Sequence, residues 1–199
     1  MSSVVKNLAE VRERIAAAAR SAGRLPEEIA LMAVSKTFPA GIIREAYQAG
    51  QRLFGENRVQ EFADKAGALQ ALPDAEWHMI GHLQTNKAAK AAELFNAVDS
   101  VDSLRLAQKL NAAAQKANKR LSMLIEINVG GEAAKSGVAP DSPELEQLLA
   151  AAPQLTALKF RGLMTIPPFS DDPQQARPYF RRLRELRTQI AARHLPAVN

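Results

Sequence analysis

Ile29-Ala-Leu-Met-Ala-Val-Ser35 is a short apolar run that ends directly at Lys36, and Thr37-Phe38-Pro39 then leads into a helical pattern. A run of this length next to turn residues is typical of a buried strand in a parallel sheet. Lys36 is therefore expected to be an amine held by a rigid strand and directed out of its C-terminal end. Desolvation or a neighbouring cation can leave such an amine uncharged and nucleophilic, which suits it to forming a Schiff base with an aldehyde.

Five further apolar runs also predict buried strands, and a helical pattern follows each of them. They are Arg52–Gly55, Glu76–Gly81, Asn96–Asp99, Ser122–Val129 and Lys159–Ile166. Repeated strand-then-helix units predict an α/β fold, either a (β/α)8 barrel or an open doubly wound sheet. A barrel of ~250 residues uses roughly 30 residues for each unit, so this chain has room for about six units after its opening helix.

The helical segments carry their own signals. Val4, Leu8, Val11 and Ile15 have helical spacing ahead of the first strand. Ser100 or Asp102 is the expected N-cap of the helix that contains Leu104 and Leu110, and Ser142 before Pro143 is expected to cap a later helix.

Composition excludes several classes of protein. The chain has 199 residues, 47% of them hydrophobic and 24% charged, which is the balance of an ordinary globular protein. It has no cysteine, which excludes a disulfide-built fold, and it shows neither a signal peptide nor a membrane-spanning apolar stretch. We therefore expect a cytoplasmic protein of one domain, residues 1–199.

The net charge of +5 comes largely from arginines between Arg177 and Arg193. These arginines could form a nucleic-acid patch or the solvated face of a helix. We favour the helix face, because Phe180, Leu183, Leu186 and Ile190 form an apolar stripe through the same segment.

A set of mainly polar residues lies at or near the C-terminal ends of the predicted strands, where barrel enzymes build their sites, and Asp99 is the expected last residue of the fourth strand. They are Lys36, the group Glu56-Asn57-Arg58, His78 and His82, Asp99, Asn128, and Met164-Thr165. Parallel strands also end in polar residues simply because they reach the surface there, so only the whole set is informative.

Three of these positions allow more than one interpretation. Asn57 belongs either to a capped turn or to a ligand site, where its amide would face a ligand oxygen. A metal site at His78 and His82 is rejected, because a strand and turn separate them and no third ligand is evident. The loop from Asn128 to Gly137 is glycine-rich, and a phosphate-binding loop and a mobile loop are equally consistent with it.

Five segments, taken in order, resemble the pyridoxal phosphate homeostasis protein family, which is related to the N-terminal barrel domain of alanine racemase. They are Ala33-Val-Ser-Lys36-Thr37, Phe54-Gly-Glu-Asn57-Arg-Val-Gln-Glu61, Trp77-His-Met-Ile-Gly-His-Leu-Gln84-Thr-Asn-Lys87, Ile127-Asn-Val129 with Lys135-Ser-Gly137, and Gly162-Leu-Met-Thr-Ile-Pro167. The resemblance runs from about residue 5 to the end of the chain.

The resemblance implies a TIM-type (β/α)8 barrel of PLP fold type III. It implies that Lys36 holds pyridoxal 5'-phosphate (PLP) as a Schiff base, that Asn57 lies near the phenolic oxygen of the cofactor, and that Met164 packs on the pyridine ring. It further implies a non-catalytic carrier in the homeostasis of PLP and amino acids, since racemases take a second acid/base from an added domain. No catalytic residue and no metal are expected.

Members of the family continue beyond the point where this sequence stops, with a Ser-Met-Gly-Met-Ser segment and an Arg-Ile-Gly-Thr segment. By resemblance, the chain is expected to lack about the last two β/α units and the phosphate-binding loops they carry. We therefore expect a less stable fold and weaker PLP binding than in the complete barrel.

Two alternatives remain beside the carrier: a Schiff-base enzyme of racemase or aldolase type, and a nucleic-acid binder that uses the arginine-rich helix. Among partners we expect PLP and PLP-dependent apoenzymes, with no nucleic acid and no membrane, and we expect a monomer.

Overall fold

A computed structural model describes residues 2–132 and 136–193, and in this part of the chain strands and helices alternate after an opening helix. The strands are β1 (Ala33–Val34), β2 (Leu53–Glu56), β3 (Glu76–Met79), β4 (Ala97–Val101), β5 (Leu121–Glu126) and β6 (Leu158–Met164). The helices are α1 (Ser3–Ser21), α2 (Ala40–Gln48), α3 (Val59–Ala66), α4 (Ala88–Leu94), α5 (Leu104–Lys116), α6 (Pro143–Ala151) and α7 (Arg177–Ala192). The sheet order follows the chain order, β1-β2-β3-β4-β5-β6, and the α/β fold class is confirmed.

Two compact units make up the chain, Met1–His78 and Met79–Asn199. In the first unit β1 and β2 are parallel, with Ala33 opposite Phe54 and Val34 opposite Gly55. The predicted first strand, Ile29–Ser35, is too long. The amide of Ile29 bonds back to the carbonyl of Pro26, and the carbonyl of Leu31 accepts the side-chain amide of Gln51, so both groups are used outside the ladder.

An aromatic cluster holds β2, α3 and β3 together in the first unit. The rings of Phe54 and Trp77 stack with centroids 4.9 Å apart, and the ring of Phe62 lies 4.8 Å from that of Trp77. All three side chains are buried. Aromatic pairs at these distances add about 0.5–1.5 kcal/mol per pair to the free energy of burial.

In the second unit β4, β5 and β6 are parallel neighbours. Every residue of β4 is buried, as expected for a strand covered on both faces. β6 departs from that expectation, because its burial alternates and Lys159 and Arg161 are exposed. One face of β6 therefore meets solvent.

One of the two helix caps expected in the second unit is confirmed and the other is wrong. The hydroxyl of Ser142 accepts the amide of Leu145, as predicted. The cap of α5 is Ser103, whose hydroxyl accepts the amide of Leu106. Ser100 cannot serve, because β4 extends past Asp99 to Val101 and the hydroxyl of Ser100 donates to the carbonyl of Gly81 at 2.6 Å.

The predicted stripe of α7 is only partly buried. Leu186 and Ile190 are buried, Leu183 is half-buried, and Phe180 is 53% exposed. The interpretation of Phe180 as a core residue is therefore wrong, since the buried face of α7 begins further along the helix. None of the helices in residues 2–132 and 136–193 has the length and apolarity of a membrane span.

After β5 the chain forms a loop that comes back to the C-terminal end of the same strand. Val138 bridges Ile127 in parallel, the amide of Val138 donates to the carbonyl of Glu126, and the amide of Asn128 donates to the carbonyl of Val138. Gly137 makes this return possible with a φ of +103°, and a Cβ built there would lie 2.9 Å from the amide nitrogen of Asn128. Lys135, singled out in the sequence, lies outside the described residues.

We expect Gly137→Ala to destabilise the protein more than Gly23→Ala. Both glycines have positive φ, which costs a residue with a Cβ about 1–2 kcal/mol. Only Gly137 adds a steric conflict, since a Cβ at Gly23 would meet nothing within 4 Å. The conflict should add about 1–3 kcal/mol. Urea unfolding followed by far-ultraviolet circular dichroism measures both variants, and equal losses would contradict the steric argument.

Candidate functional site

Lys36 lies in a tight turn just after β1, and its side chain is exposed. The next residue, Thr37, has a φ of +65°. A positive φ is uncommon for a β-branched residue, because its Cβ crowds the backbone. The amine of Lys36 therefore projects from a strained backbone at the C-terminal end of the strand, close to where the sequence predicts it.

Ser35, on the other side of Lys36, is buried and bonded through three groups. Its amide donates to the carbonyl of Gly55 at 2.9 Å, and its hydroxyl donates to Oε1 of Glu56 at 2.6 Å. Its carbonyl accepts Nζ of Lys65 at 3.0 Å. The backbone that enters the Lys36 turn is thus fixed.

Glu56, Glu61 and Lys65, the Lys65 cluster, lie beside this turn. Nζ of Lys65 lies 2.9 Å from Oε1 of Glu56 and 3.2 Å from Oε1 of Glu61. Glu56 is fully buried, and the side chain of Lys65 is 13% exposed. Within the described residues Oε2 of Glu56 is a buried oxygen without a hydrogen-bond partner. The ammonium group of Lys65 compensates the charge of the buried carboxylate, and removing it would leave that charge without a partner.

Glu61 connects the cluster to the strained residue. Its Oε1 accepts the amide of Thr37 at 2.5 Å. This bond is the main reason that the pKa of Glu61 lies below its usual value; burial opposes the shift, and the hydrogen bond from Lys65 reinforces it. Glu61 is therefore an ionised acceptor for the backbone amide that follows Lys36.

Asn57 follows β2 directly and is half-buried. Val34 pairs with Gly55, so Lys36 and Asn57 each lie two residues beyond a paired position of neighbouring parallel strands. The structure therefore brings these two predicted residues to the same edge of the sheet. This agreement follows from the parallel register.

Met164 belongs to the second unit, where it is the last residue of β6 and half-buried. It pairs with Glu126, and its carbonyl accepts the amide of Ile127 at 2.8 Å. Asn128, also singled out in the sequence, is half-buried after β5, and its side-chain amide donates to the carbonyl of Glu132 at 2.9 Å. The prediction that Asp99 ends its strand is wrong, since Asp99 is buried inside β4.

Glu126, at the C-terminal end of β5, is a residue that the sequence analysis missed. It is 6% exposed. Burial is the main cause of its raised pKa, the charge of Asp102 adds to the shift, and His82 opposes it. Nδ1 of His82 lies 3.1 Å from Oδ2 of Asp102. A glutamate within an otherwise apolar strand pattern is the sequence signal that could have identified this group.

The chain matches the family model described as alanine racemase, N-terminal domain, over residues 6–199. It is 45% identical over 185 residues to the pyridoxal phosphate homeostasis protein of Aquifex aeolicus, covering 93% of this chain and 80% of the relative. It is 48% identical over 169 residues to the protein of the same name in Escherichia coli K12, covering 84% of this chain and 71% of the relative.

Solved structures are similar to this chain as well. PipY of Synechococcus elongatus PCC7942 with PLP bound is 35% identical, with a TM-score of 0.79 over 98% of this chain and 85% of PipY. Alanine racemase from Streptomyces coelicolor is 24% identical, with a TM-score of 0.66 over 82% of this chain and 45% of the racemase, which is a likeness of fold alone.

We expect Lys65→Met to lower the free energy of unfolding by about 3–5 kcal/mol, because it removes the cation paired with the buried carboxyl group of Glu56. The fluorescence of Trp77, the one tryptophan of the sequence, reports urea unfolding in the first unit. Lys6→Met is the matched control: Lys6 forms an exposed ion pair with Glu10 on α1 in the same unit, and its loss should cost at most about 1 kcal/mol. Similar losses in the two variants would show that the cluster does not act as a buried ion pair.

We expect Glu126→Gln to change how stability depends on pH. Because the folded pKa of Glu126 is raised, the folded state binds more protons than the unfolded state between the usual value of 4.5 and the folded pKa. Wild-type stability should fall as pH rises through this window, and Glu126→Gln should remove that fall. Urea unfolding of both proteins at a series of pH values measures the difference, with the exposed Glu93→Gln as control. Parallel curves would contradict the assignment.

Proposed function

The chain belongs to the alanine racemase N-terminal domain family and to the pyridoxal phosphate homeostasis proteins, and on that basis we propose that it binds pyridoxal 5'-phosphate through Lys36. The observation that carries the proposal is the register at one sheet edge. The exposed amine of Lys36 follows β1, and the amide of Asn57 follows β2 at the matching position.

The residues at this edge fit the cofactor. PLP supplies an aldehyde that combines with a primary amine and, once bound, draws electrons from attached groups. Lys36 provides an exposed amine on a backbone that is fixed on both sides, by the hydrogen bonds of Ser35 and of Thr37. A protein that carries an aldehyde needs this combination of an accessible amine and a restrained backbone.

We assign two further contacts in the proposal. Asn57 has both an amide donor and an amide acceptor, either of which suits the phenolic oxygen of the cofactor. Met164, in the second unit, offers a half-buried thioether at the end of β6, and such side chains pack favourably against aromatic rings. The support for each contact is the place of the residue at a strand end.

The proposed role is to carry PLP rather than to turn over a substrate. The names of the relatives support it, since the Aquifex aeolicus and Escherichia coli proteins are both pyridoxal phosphate homeostasis proteins. In the proposal the chain acts as a cytoplasmic monomer, and PLP-dependent apoenzymes receive the cofactor.

A Schiff-base enzyme is the second candidate, and the match of residues 6–199 to the family model of the alanine racemase N-terminal domain favours it. Loss of optical activity from an amino acid, dependent on added PLP and abolished in Lys36→Ala, would support this candidate over the carrier.

We expect wild-type protein incubated with PLP and then borohydride to retain one stable label on Lys36. Lys36→Ala should lose the label and the yellow absorbance. Lys87→Ala should keep both, because Lys87 is an exposed lysine placed after a different strand. Absorbance spectra and peptide mass mapping measure the outcome. A label that is spread over several lysines, or retained in Lys36→Ala, would refute the proposed site.

A further inference from the structure

We propose that Glu61 is a positioning residue for Lys36, acting through the backbone amide of Thr37. The inference rests on the proposed function, because it concerns how the amine that takes the aldehyde is held. Glu61 does not touch the amine in this assignment. It fixes the turn from which the amine projects.

The strain at Thr37 is the first reason. Its φ of +65° is unfavourable for a β-branched residue and persists only when the surroundings impose it. The amide of Thr37 donates to Oε1 of Glu61 at 2.5 Å. This hydrogen bond ties the backbone amide to a side chain of α3, so it can hold a conformation that the residue would otherwise leave.

Lys65 holds Glu61 in place. The two residues are four positions apart on α3, and Nζ of Lys65 lies 3.2 Å from Oε1 of Glu61. Lys65 is held in turn by Glu56 at 2.9 Å and by the carbonyl of Ser35 at 3.0 Å. The acceptor for Thr37 is therefore fixed by a largely buried cation rather than left free on the surface.

The Lys65 cluster thus restrains the backbone on both sides of Lys36. Glu56 and Lys65 bond to Ser35, which precedes it, and Glu61 bonds to Thr37, which follows it. The side chain of Lys36 itself stays exposed. Because the backbone of Lys36 is already restrained, less conformational entropy is lost when its amine meets a bound aldehyde.

The step that benefits is the joining of the lysine to the cofactor. The neutral amine nitrogen of Lys36 forms a double bond to the aldehyde carbon, and the aldehyde oxygen leaves as water with the two amine protons. Holding the turn raises the rate of this step without changing the reacting groups.

Two substitutions at Glu61 separate positioning from charge. Glu61→Gln removes the charge but keeps an acceptor at the same reach. Glu61→Asp keeps the charge in the first turn of α3, so the helix stays supported, but shortens the reach by one methylene. We measure amide hydrogen exchange at Thr37 without cofactor, and the rate of PLP attachment at Lys36 after borohydride quenching.

We expect Glu61→Asp to speed exchange at Thr37 and to slow attachment at Lys36 by about tenfold each, as the loss of one hydrogen bond implies. Glu61→Gln should stay within about threefold of wild type in both measurements, since its acceptor remains. If Glu61 acted only through its charge, Glu61→Gln would be the more defective variant. Near-wild-type behaviour of Glu61→Gln beside a defect in Glu61→Asp therefore indicates positioning.

Three outcomes would overturn the proposal: equal exchange at Thr37 in all three proteins, equal attachment rates in all three, or a larger defect in Glu61→Gln than in Glu61→Asp. If wild type takes up no PLP, the proposed function fails, whereas exchange at Thr37 still decides whether Glu61 holds the turn. The two failures are therefore distinguishable.

Discussion

The ion pair between Lys65 and the buried carboxylate of Glu56 is the interaction on which the candidate site depends. Taking two charges out of water is costly, and the cost is offset only when the geometry is close and further hydrogen bonds form. Here Nζ of Lys65 also bonds to Glu61 and to the carbonyl of Ser35. The constraint that keeps Glu56 paired therefore also keeps α3 attached to the end of β1.

This constraint explains a contrast at Lys36. The backbone around it is restrained and carries a positive φ at Thr37, whereas its side chain is exposed. Buried ion pairs are weak evidence for stability, because apolar residues of similar volume often serve as well. At this site the charged groups do something that apolar side chains cannot do. They form hydrogen bonds with the backbone of Ser35 and Thr37, and these bonds hold the turn that carries Lys36.

The order of the β/α units and the edge residues Lys36 and Asn57 could be predicted because apolar runs locate parallel strands and parallel strands end together. The errors came from local signals that the tertiary structure overrode. Ser100 looks like a helix cap but bonds to Gly81, and Phe180 has helical spacing but remains 53% exposed. The sequence places Glu56 among the polar residues at the strand ends, and nothing local shows that its carboxylate is buried.

By itself, then, the sequence determined the succession of strands and helices and the presence of a lysine amine just beyond the first strand, because both depend on residues close together in the chain. The tertiary structure alone decided that Lys65 reaches Ser35, 30 positions earlier, that Glu61 holds Thr37, and that burial raises the pKa of Glu126. These properties depend on contacts and desolvation among residues far apart in sequence, which no local pattern encodes.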